Sequence, residues 1–129
     1  MKQNCLRFIL IDDDPFTLAC TEKVIRKNNP CAEIIAFAAA KEAMEYMRTE
    51  DRETVLLTDL HMPEIDGFAL LDQMENTLKD RLHIFVLSST AWPEDIQRVL
   101  SYNCVIGFLS KPLSVEKYEK IMNSIQYPQ

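Results

Sequence analysis

Oxygen-bearing side chains and one lysine recur in this chain at one kind of place, directly behind a short apolar run. Asp12, Asp13 and Asp14 follow the run 8–11. Thr58 and Asp59 follow 55–57, Ser88, Ser89 and Thr90 follow 84–87, and Ser110, Lys111 and Pro112 follow 105–109. As neighbouring strands of an open parallel sheet, these runs would deliver the groups to one rim, beyond the strands' carboxyl ends, where such sheets bind ligands. Carboxylates held that close repel one another, and each tends to retain a proton. A divalent cation removes the conflict. All-oxygen donors with no paired His or Cys select Mg²⁺, with Mn²⁺ as a substitute. Such an ion completes its shell with waters and phosphate oxygens. Lys111 adds a point charge suited to phosphate, and Ser88 a hydrogen-bond donor. Together they would hold a phosphoryl group in transfer. Its acceptor would be a carboxylate, because the sequence offers neither a reactive-cysteine context nor a catalytic Ser–His pair.

The elements that must position these groups follow from apolar patterning. Five runs, 8–11, 34–37, 55–57, 84–87 and 105–109, are continuous rather than alternating, as strands covered on both faces require. Helical patterns fill the gaps. Asp14 caps the first, with Pro15 at its first position. Phe16, Ala19, Cys20 and Val24 form its expected inward face. Ala40, Ala43, Met44 and Met47 mark the second helix, and Phe68, Leu71, Met74 and Leu78 the third. Pro93, Glu94 and Asp95 open the fourth, with Ile96, Val99 and Leu100 inward. Ser114 caps the fifth, whose inward residues are Val115, Tyr118, Met122 and Ile125. With only two glycines, helix ends must use residues such as Asn28, Asn29 and Asn103. Five strictly alternating βα units are too few for an eight-fold barrel, so the fold is an open, doubly wound α/β sheet.

The 129 residues fit one domain, and 47% hydrophobic with 26% charged residues excludes a disordered chain. A formal charge of −6 argues against nucleic acid or an anionic membrane surface as partner. No apolar run approaches the length of a membrane span. Cys5, Cys20, Cys31 and Cys104 have no CxxC spacing, and His61 and His83 complete no zinc pattern. The cysteines read as reduced thiols serving as small buried hydrophobes. The first run is too short, and too soon acidic, for a secretory leader, which makes the cytoplasm the expected compartment.

The acid pair Asp12-Asp13, then Asp59, Met62-Pro63, Asp66-Gly67, Ser88 and Lys111-Pro112 stand in one order at these strand ends. On these residues the chain resembles, over nearly its whole length, the receiver (phosphoacceptor) domain of two-component response regulators. The resemblance implies a flavodoxin-like sheet of five parallel strands, ordered 2-1-3-4-5, with five helices. It implies that Asp59 accepts phosphate from a phosphohistidine donor, either a histidine kinase or a histidine phosphotransfer protein, and also ligates Mg²⁺. Asp13 would be a direct ligand, Asp12 would act mainly through water on the metal, and the backbone carbonyl of His61 would complete the protein ligands. Ser88 would be the switch hydroxyl that reaches the phosphoryl group, with Ser89 the alternative register. Lys111 would pair with the phosphate, across a cis bond to Pro112. Phe108 would be the aromatic that turns inward when the hydroxyl moves. A downstream protein would then read the face built by helix four, strand five and helix five.

Such a chain is a modification-driven switch rather than a turnover enzyme. Because it ends soon after the fifth helix, it is expected to be a stand-alone receiver domain, spanning residues 1–129, that acts by protein contact or in a phosphorelay. One alternative is a pseudo-receiver, an interaction module of the same fold that is not phosphorylated. Another, a phosphatase with an aspartyl nucleophile, is prompted by Asp12-x-Asp14, but Pro15 and the lack of a cap domain oppose it. The His61 imidazole either contacts the water that attacks an acyl phosphate or faces solvent.

Overall fold

The computed structural model describes residues 6–48, 52–62, 66–77, 81–89 and 92–125. Along them strand and helix alternate as β1 (Arg7–Ile11), α1 (Pro15–Asn28), β2 (Glu33–Phe37), α2 (Ala40–Arg48) and β3 (Thr54–Thr58). The chain continues as α3 (Gly67–Thr77), β4 (Leu82–Ser88), α4 (Pro93–Leu100), β5 (Val105–Ser110) and α5 (Val115–Ile125). The strands form one parallel sheet in the order β2-β1-β3-β4-β5, the order that the resemblance implied.

Side chains alternate along each strand, so the sheet divides the core in two. Ile9, Leu56, Ile84 and Val86 pack on one face, with Ala43, Met44, Leu71 and Val99 of α2, α3 and α4. Phe8, Leu10, Val55 and Leu87 pack on the other, with Ile25, Ile121 and Met122 of α1 and α5. β1 and β3 are buried at every position, which is why 8–11 and 55–57 within them are unbroken apolar runs, while Arg7, Thr54 and Thr58 are buried polar residues at their ends.

The termini of α1 and the start of α5 follow their sequence signals, whereas α4 ends on Ser101 rather than on Asn103. Asp14 accepts the Phe16 N–H at 3.1 Å, with Pro15 in the first position. Ser114 Oγ accepts the Lys117 N–H at 3.2 Å. At the end of α1, Asn28 Nδ2 donates to the Val24 carbonyl at 2.8 Å.

Three helix faces differ from expectation. In α4, Val99 is buried as expected, but Leu100, read as inward, is 53% exposed. In α1 it is Thr21 and Ile25 that are buried, while Phe16 is 75% exposed and Cys20 lies outside. Thr21 presents a polar residue at a core position, and a count of apolar spacing therefore selects the neighbouring stripe. In α5, Val115 is exposed and Ile121 is fully buried beside Tyr118 and Met122. On α2, Ala40, Ala43, Met44 and Met47 are all buried, as expected. Leu78 lies outside the described residues.

Tyr118 packs its ring against Phe8, and its buried hydroxyl has no hydrogen-bond partner among the described residues. Burial pushes its pKa up, with only partial relief from the Asn29 side chain. Tyr118→Phe removes a hydroxyl whose desolvation is only partly relieved. The change is expected to be neutral or stabilising by up to about 1 kcal/mol in denaturant unfolding.

The cysteines correct the uniform reading of buried, reduced thiols. Cys31 is disulfide-bonded, Cys20 is a free thiol on the surface, and Cys104 is a free thiol that is partly buried; Cys5 lies outside the described residues. Burial and the Glu75 carboxylate push the Cys104 thiol up to about 12. Because the thiolate is the nucleophile, iodoacetamide at about pH 8 is expected to alkylate Cys20 on the order of 10³ times faster than Cys104. Peptide mapping after timed quenching measures that ratio. Among the described residues, no helix is long and apolar enough to cross a membrane.

Candidate functional site

The chemistry-bearing residues sit where β1, β3, β4 and β5 end side by side. Backbone pairing runs one residue past the strands. Asp12 N–H donates to the Phe37 carbonyl at 3.1 Å, Asp59 N–H to Ile11 at 3.0 Å and Lys111 N–H to Ser88 at 3.0 Å. Extensions of the sheet's own ladder therefore hold all three side chains. Lys111 is joined to Pro112 by a cis bond, as expected.

Asp12, Asp13 and Asp59 each offer a carboxylate oxygen within 4.8 Å of the other two. Asp12 and Asp59 are buried and Asp13 is exposed. Lys111 Nζ lies 2.5 Å from Asp12 Oδ2 and 3.0 Å from Asp59 Oδ2, although residues 59 and 111 are 52 positions apart in sequence. The other oxygens are also engaged. Asp59 Oδ1 accepts the Leu60 N–H at 2.7 Å, and Asp12 Oδ1 accepts the Asp14 N–H at 2.9 Å.

Charge is unbalanced in this cluster. Burial raises the Asp12 pKa, the Asp59 charge adds to the rise, and the contacts from Lys111 and the Asp14 N–H only partly offset it. For Lys111, burial alone would lower the pKa, but the hydrogen bonds to Asp12 and Asp59 outweigh it and the net shift is upward. The ammonium therefore stays charged. One ammonium does not neutralise three carboxylates, and the donor set is all oxygen with a solvent-facing side at Asp13. These are the properties that a Mg²⁺ ion requires of its ligands, so the residues fit that ion. Asp14, the third member of the acidic triplet, is not in the group. Its carboxylate is held by Thr17 Oγ1 at 2.8 Å and by the Phe16 N–H, and these contacts lower its pKa.

Around the cluster, Ser88 is buried at the end of β4 and Ser89 is exposed, while Thr90 lies outside the described residues. Val86 pairs with Phe108 and Ser88 with Ser110, so Ser88 and Phe108 share a face of the sheet. Phe108 is partly buried against the core under α2, α3 and α4. His61 does not simply face solvent. Its imidazole is 61% exposed, yet Nε2 lies 3.4 Å from Asp95 Oδ2 in the first turn of α4. Asp66 Oδ1 accepts the Ala69 N–H at 3.0 Å and so caps α3, while Met62 is buried; Pro63 lies outside the described residues.

In the sequence Gly67 stands out only as part of the Asp66-Gly67 pair, and the structure gives it a steric role beside Asp59. The start of α3 lies directly on the peptide of Asp59, and the Gly67 N–H donates to the Leu60 carbonyl at 2.7 Å. A Cβ at Gly67 would sit 2.4 Å from the Asp59 carbonyl oxygen and 2.7 Å from Leu60 Cα, so only glycine fits. The available signal was its rarity, as one of two glycines in the chain.

The family model of the response regulator receiver domain matches residues 8–123. Two-component response regulator ORR1 of Oryza sativa subsp. japonica is 30% identical over 127 residues, covering 91% of this chain and 54% of that protein. Two-component response regulator ARR11 of Arabidopsis thaliana is 26% identical over 122 residues, covering 93% of this chain and 22% of that protein. The chain thus spans from about a fifth to about half the length of these two relatives. Among solved structures, a response regulator receiver protein from Dyadobacter fermentans DSM 18053 superimposes with a TM-score of 0.81. It is 28% identical and covers 92% of this chain and 96% of that one.

Proposed function

The chain belongs to the response regulator receiver domain family, and from that membership we propose that it is a phosphoryl-accepting switch with Asp59 as the acceptor. Receiver domains bind Mg²⁺ at an acidic pocket and interact with histidine kinases or histidine phosphotransfer proteins. One observation carries the reading for this chain: a single ammonium, Lys111, bonded at once to two buried carboxylates of a three-carboxylate cluster.

In the proposed transfer, an Asp59 carboxylate oxygen attacks phosphorus as the bond from phosphorus to the donor imidazole breaks. The imidazole keeps the bonding electrons. Lys111 exchanges its contact with Asp59 for one with a phosphoryl oxygen, so its charge is used without leaving the site. Asp12, Asp13 and Asp59, with the His61 carbonyl, are the residues that would hold Mg²⁺, or Mn²⁺ in its place. That ion supplies charge neutralisation to phosphoryl oxygens. Ser88 is then drawn to the acyl phosphate, and Phe108, on the same face of the sheet, moves inward. The surface formed by α4, β5 and α5 changes with it, and Leu100 and Ile106 of that surface are exposed apolar contacts for a downstream protein. This is a two-state element biased by one modification.

Intact mass after incubation with acetyl phosphate and Mg²⁺, followed by mapping of the modified residue, tests the reading. A single phosphoryl adduct on Asp59 that is lost when EDTA replaces Mg²⁺ is expected. No adduct, with no Mg²⁺ binding at millimolar concentration, would assign the chain to the pseudo-receivers.

A further inference from the structure

Lys117 has no part in the chemistry above, yet its side chain is tied to the loop that carries Lys111. Its Nζ donates to the Ser110 carbonyl at 2.6 Å, to Ser110 Oγ at 3.0 Å and to the Pro112 carbonyl at 3.2 Å. These acceptors belong to the two residues that flank Lys111. An ammonium has three donors, and all three are used.

Two features make this arrangement unusual for a lysine. Lys117 is the third residue of α5, where the helix dipole disfavours positive charge. In a capping box, Ser114 would be followed three residues later by Glu or Gln reaching back to the cap's own N–H. Here the Lys117 backbone N–H bonds Ser114 Oγ in the normal way, but the side chain at that position is a cation that reaches past the cap into the preceding loop. The loop gains from it, because Pro112 has no N–H to tie it to a neighbour. On the other side, the Lys111 N–H is held by the Ser88 carbonyl at 3.0 Å. The Lys111 backbone is thus fixed from β4 and from α5, and its stem is aimed at Asp12 and Asp59.

We propose that Lys117 is a positioning residue for Lys111, holding the segment 110–112 so that the Lys111 ammonium reaches the phosphoryl site. The proposal deepens the phosphoryl-accepting reading and rests on it. The full chain is compared with Lys117→Met, which keeps stem length without charge, and with Lys117→Arg, which can still donate to several oxygens.

The measurements are Mg²⁺ affinity by calorimetry, phosphorylation rate from acetyl phosphate at saturating Mg²⁺, thermal midpoint, and the Lys111 ammonium signal by proton–nitrogen NMR without Mg²⁺ or phosphodonor. Lys117→Met is expected to slow phosphorylation on the order of 10- to 100-fold, the scale of an ångström-level misplacement. Its Mg²⁺ affinity should not fall, and the Lys111 ammonium signal should broaden or vanish. Lys117→Arg should recover most of the rate and the signal. A wild-type rate and an unchanged Lys111 signal in Lys117→Met would overturn the proposal. So would a loss of rate matched by lost Mg²⁺ affinity and a lower thermal midpoint with the Lys111 signal intact, because that is a stability effect alone. If the wild-type chain takes no phosphate, the phosphoryl-accepting reading fails, and the Lys111 signal decides the positioning role by itself.

Discussion

Asp59→Asn is expected to lower phosphate uptake from acetyl phosphate by on the order of 10³-fold or more, because a carboxamide is not a nucleophile toward phosphorus under these conditions. The fold should survive. Asn keeps the shape of Asp, and its carbonyl oxygen can still accept the Leu60 N–H that Asp59 Oδ1 accepts at 2.7 Å. Lys111 keeps its 2.5 Å contact with Asp12. Removing the Asp59 charge also relieves Asp12, whose raised pKa comes first from burial and further from that neighbour. Apo stability should therefore be unchanged or higher, while Mg²⁺ affinity drops by about ten-fold with the loss of one anionic ligand. Intact mass, urea unfolding and calorimetry separate the three effects. Uptake at the wild-type rate would show that another residue is the acceptor.

Gly67→Ala should be far more damaging than the same change at Gly107. The added carbon would meet backbone, at 2.4 Å from the Asp59 carbonyl oxygen and 2.7 Å from Leu60 Cα, and backbone cannot swing aside as a side-chain end can. The cause is space rather than backbone conformation, since neither glycine has positive φ. Relief requires α3 to retreat or the Asp59 peptide to shift, at a cost of about 2–4 kcal/mol. The second route moves the acceptor itself, so phosphorylation should fall on the order of 10²-fold even where the protein remains folded. Gly107→Ala is the control. Its new carbon would touch only the Phe85 ring at 3.5 Å, an ordinary contact, and the change should cost about 1 kcal/mol or less. Urea unfolding of both variants measures the difference, and equal midpoints would refute the crowding argument.

What the sequence determined by itself is local in origin. Apolar runs with polar residues behind them marked β1, β3, β4 and β5, and their periodicity, with caps at Asp14 and Ser114, placed the helices between. Burial pattern and capping are properties of a few consecutive residues, so they are written along the chain. The cluster of Asp12, Asp13 and Asp59 was legible for the same reason, since the pair Asp12-Asp13 follows β1, Asp59 follows β3, and parallel strands bring such positions to one edge.

Tertiary structure alone decided the rest. It turned α1 onto Thr21 rather than Phe16, because packing responds to shape at a site and not to mean hydropathy along a helix. It buried Ser88 and exposed Ser89, a distinction that three consecutive hydroxyls could not carry. It set Gly67 against Asp59 and Lys117 across the flanks of Lys111. Steric exclusion and hydrogen bonds to backbone carbonyls depend on which chain segments meet in space. No spacing of residue types along the sequence encodes that meeting.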